Sequence, residues 1–260
     1  MGSIGKDIKL TAQQQRVLKL LFKFRFTTTW LLADVMGIRR ASVYEVIEYL
    51  VTKELIVKVY DESYRMDRKP AYYYLSKAGV TCVRKLMDVK ESVVNPLYKN
   101  DTAPEDLIEH SLQLVRCYVA IMQQVPSGTN IFTKTEINRY RQFPKNRPDL
   151  YIRTPDGHEA IVVIVDDKPL YIIRKRREEI IAHSEDEGWT NDVYPRICFV
   201  LKDNNDKNSF LYSTRKKLDD MGMDEEELCI QATSLKQLLN SPLHAWSNVF
   251  HPTKQIALFD

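Results

Sequence analysis

Glycine is scarce, with eight in 260 residues. No Gly-rich phosphate loop can be assembled from them, which argues against nucleotide-driven chemistry. Cysteine is scarcer still. Cys82, Cys117, Cys198 and Cys229 are widely spaced, form no CxxC pair and sit among apolar neighbours. They predict buried thiols in a reducing cytoplasm rather than a disulfide framework or a zinc site. No apolar run approaches the length of a membrane span and no secretory signal opens the sequence, so a cytoplasmic protein without membrane attachment is expected. The five histidines include no His-x-His pair, which argues against a tyrosine relaxase despite 14 tyrosines. Excess charge is also missing: the net charge is +3, with 28% charged and 44% hydrophobic residues. That is the composition of an ordered globular chain, long enough for two modest domains.

The small net charge hides an uneven distribution. Residues 1–90 carry 17 basic against 9 acidic side chains, a net of +8, and the remainder is net −5. A basic N-terminal third predicts contact with a polyanion. Its residue pattern agrees. Thr11 is a candidate N-cap for a helix over about 12–24, with Val17, Leu18, Leu20, Leu21 and Phe24 on its apolar stripe. A short helix over about 30–36 ends at Gly37, and a third over about 42–53 has Val43, Val46, Ile47, Leu50 and Val51 as its apolar face. Two strands follow, about 55–60 and 71–75, joined by a loop carrying Arg65, Arg68 and Lys69; another helix then begins at Ser76.

Three helices followed by a basic-tipped hairpin make a winged helix-turn-helix, and the run YYYLSKAG is similar to the second wing strand and helix start of many such DNA-binding domains. In that frame the start of the third helix meets base edges and the wing meets phosphates. Arg39, Arg40, Ser42 and Tyr44 are the expected base-facing residues, and Arg65, Arg68 and Lys69 the phosphate contacts on double-stranded DNA. Of the three consecutive tyrosines, at least one must point inward.

The N-terminal domain is expected over 1–90, a linker over 91–103, an α/β domain over 104–240 and a tail over 241–260. A long helix over about 104–124 opens the second domain. Its centre is Arg147 to Lys168. Leu150-Tyr151-Ile152 reads as a strand, Thr154-Pro155-Asp156-Gly157 as a tight turn and the apolar run Ala160 to Val165 as a strand buried on both faces. Such a hairpin would bring Asp149 near Asp166 and Lys168. Two carboxylates and an ammonium can hold a divalent cation and activate water for phosphodiester cleavage. Alternating helices and strands complete the domain, and the helix over about 170–187 carries the basic run Arg174 to Arg177, through which this domain would contact DNA unless it serves to bring partner proteins.

This spacing resembles the PD-(D/E)xK nuclease core, with Asp149 in the PD position and Asp166-Asp167-Lys168 as DxK. With both halves in view, the chain resembles the replication-relaxation family of plasmids and conjugative elements. The resemblance rests on YYYLSKAG, on EHSLQLVRCYVAI with Glu109-His110, on the Glu136 segment and on RPDLYI with the apolar strand after it. It implies an α+β chain, a winged helix-turn-helix followed by an α/β PD-(D/E)xK nuclease-like domain. It implies Asp149, Asp166 and Lys168 as catalytic residues, Asp149, Asp166 and Glu136 as ligands of Mg²⁺, and mobilisation or replication proteins as partners. The protein would act in plasmid replication, relaxation or conjugative transfer. Related sequences carry a Glu two positions before the strand-end Asp, where this chain has Ile164. That departure points to a degenerate nuclease fold rather than a working Mg²⁺-dependent endonuclease or nickase. The alternative is a winged-helix transcriptional regulator whose second domain only dimerises.

Overall fold

The computed structural model describes residues 9–60, 69–138, 140–165, 168–185, 189 and 193–259. The chain divides into two compact units, Met1–Val115 and Arg116–Asp260.

The first unit begins with α1 (Ala12–Phe24), β1 (Thr27–Thr28), α2 (Thr29–Met36) and α3 (Arg40–Thr52). It continues with β2 (Ile56–Val59), β3 (Tyr72–Leu75) and α4 (Lys77–Met87). Thr11 and Gln14 close a capping box at the start of α1, and Gly37 ends α2 in the left-handed conformation that a side chain disfavours. The strands form a three-stranded antiparallel sheet ordered β1-β3-β2. Apolar stripes of the helices meet one face of this sheet in a single core that includes Leu18, Leu21, Leu32, Val43, Ile47, Leu50, Leu55, Leu75 and Val80. Strand alternation settles the tyrosines: Tyr73 is buried, while Tyr72 and Tyr74 are half-buried and edge-stacked on Phe26. The topology is that of a winged helix-turn-helix.

The segment expected as a linker is instead part of this unit. It forms a single helical turn, α5 (Glu91–Val94), and a 3-10 helix, Asn95–Thr102. Val94 and Leu97 are buried in the first core. Arg25, at the end of α1, donates to Asn100 Oδ1 at 2.7 Å and to the Pro96 carbonyl at 3.2 Å. A short segment that contributes only two buried apolar side chains shows no helical period, so its polar residues dominate its appearance. The division between units falls inside α6 (Glu105–Met122), later than the expected boundary.

The second unit is a six-stranded mixed sheet in the order β4-β5-β6-β7-β8-β9. The strands are β4 (Asn130–Thr133), β5 (Leu150–Arg153), β6 (Glu159–Ile164), β7 (Arg196–Leu201), β8 (Ile230–Ser234) and β9 (Ser247–Asn248). The three central strands β6, β7 and β8 are parallel, and β4, β5 and β9 pair antiparallel at the flanks. Between the strands lie α7 (Lys134–Ile137), α8 (Leu170–Ser184), α9 (Asn204–Met221) and α10 (Leu235–Asn240). Parallel neighbours need crossovers, which α8 and α9 supply. The 241–259 segment packs back on the unit, as its aromatic residues suggest. It contributes β9, buries Trp246 and Leu258 completely and ties Trp246 Nε1 to Gln124 Oε1 at 2.8 Å. No helix among the described residues is long and apolar enough to cross a membrane.

Candidate nucleic-acid interface

The face that a winged helix offers to DNA starts with α3. The helix begins at Arg40, with Arg39 as its N-cap, two residues earlier than the sequence pattern suggested. Its apolar stripe, Val43, Val46, Ile47 and Leu50, is buried, so the residues between must face outward. Arg39, Arg40 and Tyr44 are exposed, and Ser42 is half-buried. Four residues expected to contact DNA therefore lie along one helix start. On the wing, Arg65 and Arg68 lie outside the described residues. Lys69 is exposed and stands 4.0 Å from the Glu105 carboxylate.

Three further groups at this face were not singled out in the sequence. Trp30, on the first turn of α2, is 56% exposed, and the Arg40 guanidinium lies over its ring at 4.5 Å. Lys58 and Tyr60 sit two residues apart at the end of β2, and Tyr60 is 52% exposed. Lys58 Nζ lies 5.8 Å from the centre of the Tyr44 ring and 3.3 Å from Glu48 Oε1. Partial burial pulls the Lys58 pKa down, but Tyr73 and the Glu48 carboxylate outweigh it, and the net shift is upward. The ammonium therefore stays charged at neutral pH. The readable signal was the Lys-x-Tyr alternation, which sends both side chains to one face of the strand.

The second expected site lies at the β5–β6 hairpin, and the hairpin itself forms as the turn chemistry dictates. Leu150 pairs with Val162 and Arg153 with Glu159, and Gly157 takes a φ of +93° in the turn. Asp149 is held just before β5. Its Oδ2 accepts the Ile164 amide at 2.7 Å, its own amide donates to the Val162 carbonyl and its carbonyl accepts from Lys134. The carboxylate thus reaches the end of β6, as the spacing predicted, but there it bonds a backbone amide. Strand β6 stops at Ile164, so the alternation expected to align Asp166 with Lys168 does not extend to Lys168. Lys168 is exposed in the turn before α8, and Asp166 lies outside the described residues.

Glu136 is committed differently from expectation. Its Oε2 accepts from the Thr133 amide at 2.8 Å and from Thr133 Oγ1 at 3.2 Å, in a capping box that starts α7. The basic run on α8 also divides. Arg174 and Lys175 are exposed, but Arg177 is buried and donates to Ser213 Oγ and Thr214 Oγ1, both at 3.2 Å. Arg176 donates to the Arg147 carbonyl at 2.7 Å. Burial lowers its pKa, against the opposing pull of Asp149 and then Glu179. Arg147, two residues before Asp149, is spent on the carbonyls of Tyr140, Phe143 and Pro144.

Mg²⁺ takes about six oxygen ligands, of which a protein commonly supplies one or two carboxylates and water the rest. Asp149 and Glu136 each have an oxygen engaged by protein N–H groups, and a guanidinium close enough to feel Asp149 already supplies positive charge. Both carboxylates are thus already partly engaged by the protein. Among the described residues, no three His, Cys, Asp or Glu side chains gather closely enough to hold a metal ion.

No family model matches the chain, and no curated protein matches it in sequence. Several solved structures resemble part of it. One is a point mutant of ZitR from Lactococcus lactis, 21% identical, covering 42% of this chain and 73% of that one with a TM-score of 0.29. Another is the adhesin competence repressor AdcR from Streptococcus pyogenes, 21% identical, covering 46% of this chain and 82% of that one, also at 0.29. A third, a ZitR mutant in complex with DNA, is 22% identical over 41% of this chain and 73% of that one, at 0.27. The likeness is partial and adds nothing about what this chain binds.

Proposed function

We propose that this protein binds double-stranded DNA through its winged helix, and that its C-terminal unit serves binding or assembly rather than cleavage. The observation that carries the reading is the start of α3. There Arg39, Arg40 and Tyr44 face outward from a helix whose other side is anchored in the core, on a unit whose first 90 residues are net +8. Arginine at such a position pairs with guanine edges or phosphates. The winged helix would choose the site, and the second unit would join a further copy of the chain or mobilisation and replication proteins.

The sequence motifs quoted above support a place on a mobile genetic element, in plasmid replication, relaxation or conjugative transfer. The order of elements in the second unit supports a PD-(D/E)xK-like sheet, with Asp149 at the expected strand start. The engagement of Asp149 and Glu136 by backbone amides supports a degenerate version of that fold. The same engagement favours the transcriptional-regulator reading equally. The two separate on the DNA site: a palindrome bound by a dimer would mark a regulator.

The test is binding of the full chain to a duplex enriched from a random-sequence pool, followed by fluorescence anisotropy. Replacing Arg39 and Arg40 together by alanine should weaken binding at least about tenfold. Raising salt should weaken the wild type steeply, and the double variant less so. Both side chains are exposed, so the variant should fold as the wild type does. Unchanged affinity in the double variant would remove α3 as the recognition element.

A further inference from the structure

Of the four exposed aromatic side chains described in the first unit, all but Tyr49 are gathered in one place. Trp30 from α2, Tyr44 from α3 and Tyr60 after β2 line a groove of about 450 Å³ with Arg40, Lys58, Pro70 and Tyr73. Trp30, Tyr44 and Tyr60 are each at least half exposed. Such rings are costly to leave in water, and a cluster of them marks a contact site.

The charge of the groove selects its ligand. Arg40 and Lys58 line it, and among the described residues no carboxylate does. The Arg40 guanidinium already lies over the Trp30 ring at 4.5 Å, which holds a flat cation in place on an aromatic support. Lys58 keeps its charge beside the Tyr44 ring while pairing with Glu48 outside the lining. The occupant should therefore be anionic and carry a flat apolar face.

In a duplex the faces of the bases are covered by their neighbours, and only edges are presented to a recognition helix. Aromatic rings and guanidinium planes gain most from a base whose face is free. We propose that this groove seats one unstacked base of single-stranded DNA, so that the winged helix prefers a duplex that opens into a single strand over a fully paired one. Trp30 and the Trp30–Arg40 stack supply the platform, and Lys58 takes the adjoining phosphate. The proposal rests on the DNA-binding reading above and narrows it to junctions between paired and unpaired DNA.

The experiment compares three probes of one sequence against the full chain: a blunt duplex, that duplex with a single-stranded extension, and the single strand alone. Anisotropy should show the extended duplex binding about tenfold more tightly than the blunt one. Trp30 is the exposed member of three tryptophans, Trp246 being fully buried and Trp189 half-buried, so its emission should be quenched by the extended probe and not by the blunt one. Trp30→Leu should bring the extended-to-blunt ratio close to one, and Trp30→Phe should keep most of it. Equal binding of blunt and extended duplex without quenching would overturn the groove as a base site while leaving duplex binding standing. A preference that survives Trp30→Leu would overturn it as well. Failure to bind any of the three probes would take down both readings.

Discussion

Replacing Gly79 by alanine should strongly destabilise the N-terminal unit. Gly79 lies in the first turn of α4, and a Cβ built there would stand 1.9 Å from the Leu55 carbonyl oxygen. That oxygen belongs to the backbone at the start of the wing, and it already accepts the Ser76 amide at 3.1 Å. Ser76 is tied to the same place: its Oγ donates to the Glu54 carbonyl and accepts the Gly79 amide at 3.0 Å. A methyl group cannot enter without pushing the helix off the strand. Overpacking against side chains costs about 1–3 kcal/mol, and a clash with fixed backbone should exceed the top of that range. Thermal unfolding followed by circular dichroism should show the transition of this unit lowered by more than about 10 °C. A variant that melts as the wild type does would mean that α4 is free to shift, and that the Ser-Lys-Ala-Gly turn is not the lock described here.

Asp149→Ala should also destabilise strongly, by about 3 kcal/mol, whether or not the protein has any catalytic activity. The substitution leaves the buried Ile164 amide without its acceptor and takes a counter-charge away from half-buried Arg176. Asp149→Asn keeps an oxygen for the amide and should cost about 1 kcal/mol. The pair matters for any cleavage assay. Lost activity in Asp149→Ala would be equally well explained by loss of structure, so the asparagine variant is the informative one. With Mg²⁺ and supercoiled plasmid, wild type and Asp149→Asn should both leave the plasmid intact. Nicking by the wild type that disappears in a fully folded Asp149→Asn would overturn the non-catalytic reading.

Much of this architecture could be read from residue patterns because the signals are local. Thr11 and Gln14, the Thr-Pro-Asp-Gly turn and the unbroken Ala160–Val165 run each determine their own backbone. Elsewhere the chemical type of a residue and its place in the period point in different directions. Arg177 sits in a basic run, yet Ile173, Arg177 and Ile180 are spaced by four and three residues and share the buried stripe of α8. Glu136 stands three residues after Thr133, the spacing of a capping box, which explains its carboxylate without a metal. The groove at the wing could not be read in the same way. Trp30, Arg40 and Lys58 are far apart in sequence, and only the folded sheet and helices bring them together.

The helical turn and 3-10 helix after α4 also limit how the N-terminal unit could be separated or inherited. Val94 and Leu97 fill the floor of its core, and Asn100 holds the guanidinium of Arg25. A gene fragment ending at codon 90 would encode a recognition module with an open, greasy underside, prone to self-association and to proteases. One ending after codon 103 would carry its own closure. Recombination should therefore keep residues 9–103 together, with crossovers selected against between Met87 and Asn100.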